Sequence, residues 1–231
     1  MVFETGYFPQ SVFCEHMHDI ALQKPDGFYT CVGMRSHYGL DGVHTYMMSL
    51  AHRSYLISGM SFGHELYREN QITGSFGFDM LPTLHTSVSV TLLNYWIKDH
   101  SSRYGYALHM SAYYEKGDLL LGGWLNNVNT PRFNDVDAIP MVYTIRVQYT
   151  MQNNLTFILA ARGTHEWLPF YNAGISWAIY RSLVVGVGAN TDPLYYEYML
   201  RIPVGRIAIL YTGTMHEYLG FSHNIQLTFE L

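Results

Sequence analysis

The chain closes with Asn224-Ile-Gln-Leu-Thr-Phe-Glu-Leu231. Ile225, Leu227, Phe229 and Leu231 stand at alternate positions, with Asn224, Gln226, Thr228 and Glu230 between them. A strand sends successive side chains to opposite faces, so this octet has one apolar and one polar face. One such strand closes many β-domains. Repeated along a whole chain with hairpin turns between, the pattern specifies a barrel whose outside is lipid.

The pattern does repeat. Phe28, Thr30, Val32, Met34, Ser36 and Tyr38 alternate with Tyr29, Cys31, Gly33, Arg35 and His37. Ile72, Gly74, Phe76 and Phe78 oppose Thr73, Ser75, Gly77 and Asp79, and Tyr104, Tyr106, Leu108 and Met110 oppose Gly105, Ala107, His109 and Ser111. Met141, Tyr143, Ile145, Val147 and Tyr149 oppose Val142, Thr144, Arg146, Gln148 and Thr150, and Tyr196, Tyr198, Leu200 and Ile202 oppose Tyr195, Glu197, Met199 and Arg201. In 43–51 two registers compete for the lipid face: Tyr46, Met48 and Leu50 against Val43, Thr45 and Met47. The strands number about fourteen at roughly ten residues each, enough to cross a bilayer at a tilt.

The predicted fold is therefore an all-β, transmembrane, antiparallel up-and-down barrel over 28–231. Residues 1–27 form an irregular or partly helical segment at the periplasmic mouth or in the lumen. Turns at His52, Leu81, Lys116, Gln152, Arg181 and Val204 are predicted periplasmic, and the long connection 127–140 external. Residues 67–70 read as a turn.

Composition agrees. Of 231 residues 48% are hydrophobic and 13% charged, half the usual charged share of a soluble chain. Aromatics reach 16%, with 20 Tyr, and mean hydropathy is −0.01, as expected where lipid-facing and lumenal residues average out. No window approaches the roughly 18 apolar residues of a membrane helix. A soluble sandwich would carry Lys and Glu on its wet faces; here those faces hold mainly Gly, Ala, Ser, Thr, Asn and Gln. No propeller-length repeat is present. Met1 to Gln10 shows neither a basic nor an apolar leader region.

Net charge of −5 and the absence of Lys/Arg runs give no sign of nucleic-acid binding. Cys14 and Cys31 either pair or remain thiols; spacing does not decide. Enzyme motifs are missing: no Gly-x-Ser-x-Gly, phosphate-binding glycine loop or His-Glu-x-x-His. No cofactor is implied. His16 and His18, and His216 and His223, are weak metal candidates, with hydrogen bonding to a turn as the plainer role of the second pair.

Charges on the polar faces should point into the lumen, because one on the lipid face at mid-membrane costs roughly 2–4 kcal/mol. That places Arg35, His109, Arg146, Arg162, Glu197 and Arg201 as lumenal ligand or constriction candidates, with Glu230 on the same side. A lumenal ion-pair network is the alternative for the charged ones. Trp96, Tyr104, Tyr143, Trp167 and Tyr198 fit interface girdles.

Three stretches resemble the PorV/PorQ group of outer-membrane barrels, relatives of the FadL transporters. They are Leu119-Leu-Leu-Gly-Gly-Trp-Leu-Asn-Asn-Val-Asn-Thr-Pro131, the pair Ile139-Pro140, and His216-Glu-Tyr-Leu-Gly-Phe-Ser-His223 before the last strand. Toward the N-terminus, Ala21-Leu-Gln-Lys-Pro25 stands where that group has an Asn-Pro-Ala motif. The resemblance implies a non-enzymatic barrel in the bacterial outer membrane, docking partners for protein secretion or envelope assembly. A FadL-like passive transporter or channel for small or hydrophobic solutes is the alternative. Expected partners are outer-membrane lipid and envelope or secretion proteins, with no nucleic acid.

Overall fold

The computed structural model describes residues 27–133, 138–151, 154–165, 169–180, 183–191 and 193–230. They form fourteen strands: β1 (Phe28–Ser36), β2 (His44–His52), β3 (Tyr55–His64), β4 (Tyr67–Leu81), β5 (Leu84–Ile97), β6 (Arg103–Lys116) and β7 (Leu119–Asn126) in the first half. β8 (Val142–Met151), β9 (Leu155–Thr164), β10 (Phe170–Tyr180), β11 (Leu183–Thr191), β12 (Leu194–Val204), β13 (Ile207–His216) and β14 (Gly220–Glu230) complete it. Each strand pairs with its neighbour in sequence, and β1 pairs antiparallel with β14 to close the barrel. Closure satisfies every strand edge, which a sheet in lipid requires.

The last strand lies as its alternation requires. Ile225 is exposed on the outer wall, while Asn224, Gln226 and Thr228 are buried inside. The same two faces run round the barrel: Phe76, Tyr106, Leu108, Ile145, Leu159 and Val187 are exposed outward, and Ser75, Thr91, Thr144, Asn172 and Thr212 are buried inward. In β2 the competition resolves with Tyr46, Met48 and Leu50 outside and Thr45 and Ser49 buried inside. Small polar residues suit the crowded interior, and the larger side chains spread into lipid.

Connections differ at the two ends. The turns joining β2 to β3, β4 to β5, β6 to β7 and β12 to β13 are short and share the end where the described chain starts and stops. The opposite end holds the 127–141 connection, so by the usual asymmetry it is the external one. One strand boundary departs from expectation. Residues 67–70 are not a turn but the start of β4, paired with β3 and β5 from Tyr67 onward, and the turn is only Glu65-Leu66. The reading of 1–26, with Cys14, His16 and His18, lies outside the described residues, as does Trp167. Cys31 is buried in the inner wall, and its pairing with Cys14 lies outside the described residues.

Candidate functional site

The inner wall is polar and largely closed to solvent. Arg146 in β8 is 1% exposed; Arg162 in β9 and Glu197 in β12 are also buried. Arg146 donates through an Nη to Gln148 Oε1 at 3.1 Å. Arg146 and Arg162 sit on adjacent strands. Glu197 is three strands away, and Arg35 in β1 lies across the barrel from β8. Arg201 points inward too but is exposed toward the periplasmic end. The strands that carry the predicted lumenal charges are thus spread round the wall.

His109 belongs to a transverse ladder spanning β4 to β7. Thr73 Oγ1 and Thr91 Oγ1 are 2.7 Å apart, His109 Nε2 lies 3.0 Å from Thr91 Oγ1, and Nδ1 lies 3.2 Å from Asn126 Oδ1. The Asn127 amide reaches the same Nδ1 at 3.3 Å, so the ring's tautomer sets which of its contacts it donates. This ladder ends where the longest connection begins, so His109 fixes the root of that loop.

The loop itself is the feature the sequence did not reveal. Asn127, buried and at positive φ, donates through its side chain to Pro140 O and so ties the two ends of the connection together. Asn129 imitates a peptide group, accepting from the Leu108 amide at 2.8 Å and donating to Tyr106 O at 2.9 Å. A bridge between Arg132 and Ala138 and a bond from Ile139 N–H to Pro131 O draw the two limbs of the loop together. Phe133, next to this bridge, is 8% exposed and packs with Ile139 on the inward-facing Leu93, Tyr95 and Ala107, with Tyr67 alongside. Its ring meets Tyr95 edge-on at 5.0 Å. A Cβ on Gly105 would come within 3.0 Å of it, so the glycine makes room for the ring. The loop thus folds back on the external end of the inner wall and seats Phe133 in an apolar socket.

Glu69, fully buried in β4 and accepting a short hydrogen bond from the Tyr67 hydroxyl, is a second lumenal group that sequence reasoning missed. Extending the alternation of Gln71 and Thr73 upward by one step places it inside. At the periplasmic mouth His85 bonds Asp79 at 2.7 Å and lies 3.9 Å from Glu115.

His216 and His223 have structural roles. His216 Nδ1 accepts from the amides of Tyr218 and Leu219 and so caps the β13–β14 turn. His223 is on the outer wall, where Nδ1 meets the Tyr211 hydroxyl at 2.8 Å. The two do not converge, and among the described residues no metal-binding group of three His, Cys, Asp or Glu is present. Near the external rim, buried His37 has Nε2 2.7 Å from Thr45 Oγ1 and its ring edge-on to Phe62. Burial, reinforced by Arg35 and then His44, lowers its pKa to about 3.

Fold, apolar outer wall and polar interior together define a β-barrel of the bacterial outer-membrane type. Solved structures of similar fold bear this out. A TodX deltaS2S3 mutant, a monoaromatic hydrocarbon channel, has a TM-score of 0.62 at 9% identity over 96% of this chain and 93% of that one. A Pseudomonas aeruginosa FadL homologue gives 0.58 at 9% identity over 97% and 94%. Acinetobacter baumannii outer membrane protein Omp33 gives 0.57 at 10% identity over 89% and 98%. These barrels are outer-membrane proteins, the compartment the sequence indicated for this chain. No family model and no curated protein matches the sequence.

Proposed function

We propose that the protein is a passive outer-membrane conduit for small solutes, closed at its external mouth by the 127–141 loop. The observation that carries this is Phe133, held by loop and wall together in a socket of inward-facing side chains. Beyond the stabilisation its burial gives any barrel, a ring seated there by the external loop gives a conduit a closed resting state. The largely polar inner wall suits hydrated or polar solutes, and the socket adds an apolar patch at the external end of the route. The FadL and TodX likenesses in fold support the transport alternative over a secretion-docking role, which rests on the PorV/PorQ resemblance alone. Liposome swelling with the purified, refolded protein and solutes of graded size tests it. Slow, size-limited uptake is the expected result; liposomes as tight as protein-free ones for every solute would overturn it.

A further inference from the structure

The outer wall carries a polar row that neither barrel closure nor transport uses. Along β3, β4 and β5, just below the external turns, Ser61 Oγ donates to Asn70 Oδ1 at 2.9 Å and Asn70 Nδ2 donates to Asn94 Oδ1 at 3.0 Å. Asn94 Nδ2 in turn donates to Arg103 O at 3.2 Å. These side chains share the outward face with exposed Ile72 and Leu92 one rung below, so they line the lipid side, not the lumen. One rung above, exposed Arg68 pairs in register with Trp96, and Tyr104 stands beside Asn94.

The charge pattern round the barrel makes this patch particular. By the alternation of the described strands, outward positions hold no Asp or Glu, and of Lys and Arg only Arg68 and Lys116. Those two occupy opposite rims: Arg68 the external one, Lys116 the periplasmic one. Among the described residues nothing partners the Arg68 guanidinium. Each Asn amide has spent one of its two N–H groups within the row, leaving the other available. The result is a fixed row of neutral donors under a guanidinium, with an indole and a phenol at its flank. That combination matches a phosphate attached to hydroxyl-rich groups at headgroup depth.

We infer that this wall of β3–β5 binds the phosphorylated headgroup of an outer-leaflet lipid. Arg68 takes the phosphate and the Asn70–Asn94 row takes neighbouring hydroxyls. The lipid then sits against the flank of the β3–β6 wall that also carries the Phe133 socket on its inner side. The site does not depend on the transport reading.

The test is native mass spectrometry of the full chain after equilibration in phosphatidylcholine nanodiscs containing a minor fraction of lipid A. Arg68→Gln, Trp96→Leu and Lys116→Gln are compared, with folding checked by heat-modifiable gel mobility. Wild type and Lys116→Gln should retain lipid A equally, while Arg68→Gln retains it roughly fivefold less or worse, and Trp96→Leu also less. Equal losses for Arg68→Gln and Lys116→Gln would show a general rim charge effect and overturn the site. No loss in Arg68→Gln would do the same. A third arm adds millimolar inorganic phosphate: retention should persist, and displacement of lipid A by free phosphate would overturn the lipid assignment.

Discussion

Replacing Phe133 by alanine should open the external mouth. The ring is almost wholly buried against Leu93, Tyr95 and Ala107, and its edge-on contact with Tyr95 adds to area burial. Burying a phenylalanine is worth roughly 1.5–3 kcal/mol, and an aromatic pair about 0.5–1.5 more. The socket lies at the mouth, where water can replace part of the lost contact, so about 2 kcal/mol is the reasonable figure. That shifts the ratio of seated to unseated loop by roughly thirtyfold. The barrel should be untouched, because Phe133 belongs to a connection and the ladder of β6, β7 and β8 pairs without it. Single-channel recording in planar bilayers reads the effect directly: long closures in the wild type, frequent openings in Phe133→Ala, the same conductance when open. Gly105→Ala, which crowds the same ring, should move occupancy in the same direction by a smaller amount. Identical open times for wild type and Phe133→Ala would refute the plug.

Other parts of the structure give independent outcomes. Gly122→Ala would set a Cβ 2.7 Å from the buried Tyr113 ring, which Trp124 braces edge-on at 5.0 Å, and should destabilise by about 1–3 kcal/mol. Gly74→Ala meets nothing within 4 Å and should stay near wild type in the same urea titration of heat-modifiable mobility. Leu159→Arg puts a cation on the lipid face in mid-strand and should weaken folding into vesicles by roughly 2–4 kcal/mol. For His37, the folded pKa of about 3 lies below the unfolded value of roughly 6.5. The unfolded chain takes up the proton first, so this contribution is complete above about pH 6.5 and drains away as pH falls toward 3. His37→Phe should flatten the dependence of the urea midpoint on pH across that window; an unchanged slope would assign it to other groups.

The strands were legible in the sequence because a membrane barrel repeats one demand at every rung. Ile225 against Gln226 or Tyr198 against Glu197 each states which side is lipid, and fourteen strands state it consistently. Where both faces hold mixed residues, as in β2, only the packed interior decided that Thr45 and Ser49 go in and Tyr46 and Met48 go out. Glu69 was hidden by a local cue: Tyr67 to Asn70 look like turn residues, yet pairing with β5 on the other side keeps the chain extended. Phe133 had no cue at all. It is a lone aromatic in an Asn- and Pro-rich connection, and its partners Leu93, Tyr95 and Ala107 lie on strands far away in sequence. Alternation puts Arg146, Arg162 and Glu197 on the buried inner face, but it fixes neither height nor angular position, so the strands' arrangement round the wall had to come from the structure.

Whether the 127–141 loop closes a conduit decides the function. The most direct measurement compares solute uptake by the same liposomes carrying either wild type or a variant in which residues 130–139 are replaced by a short Gly-Ser turn. Asn127, Asn129 and the His109 ladder stay in place in that variant. Uptake of small sugars should rise severalfold when the plug is removed, with the folded fraction on the gel unchanged. A folded, plug-free barrel that remains as tight as wild type would contradict the account.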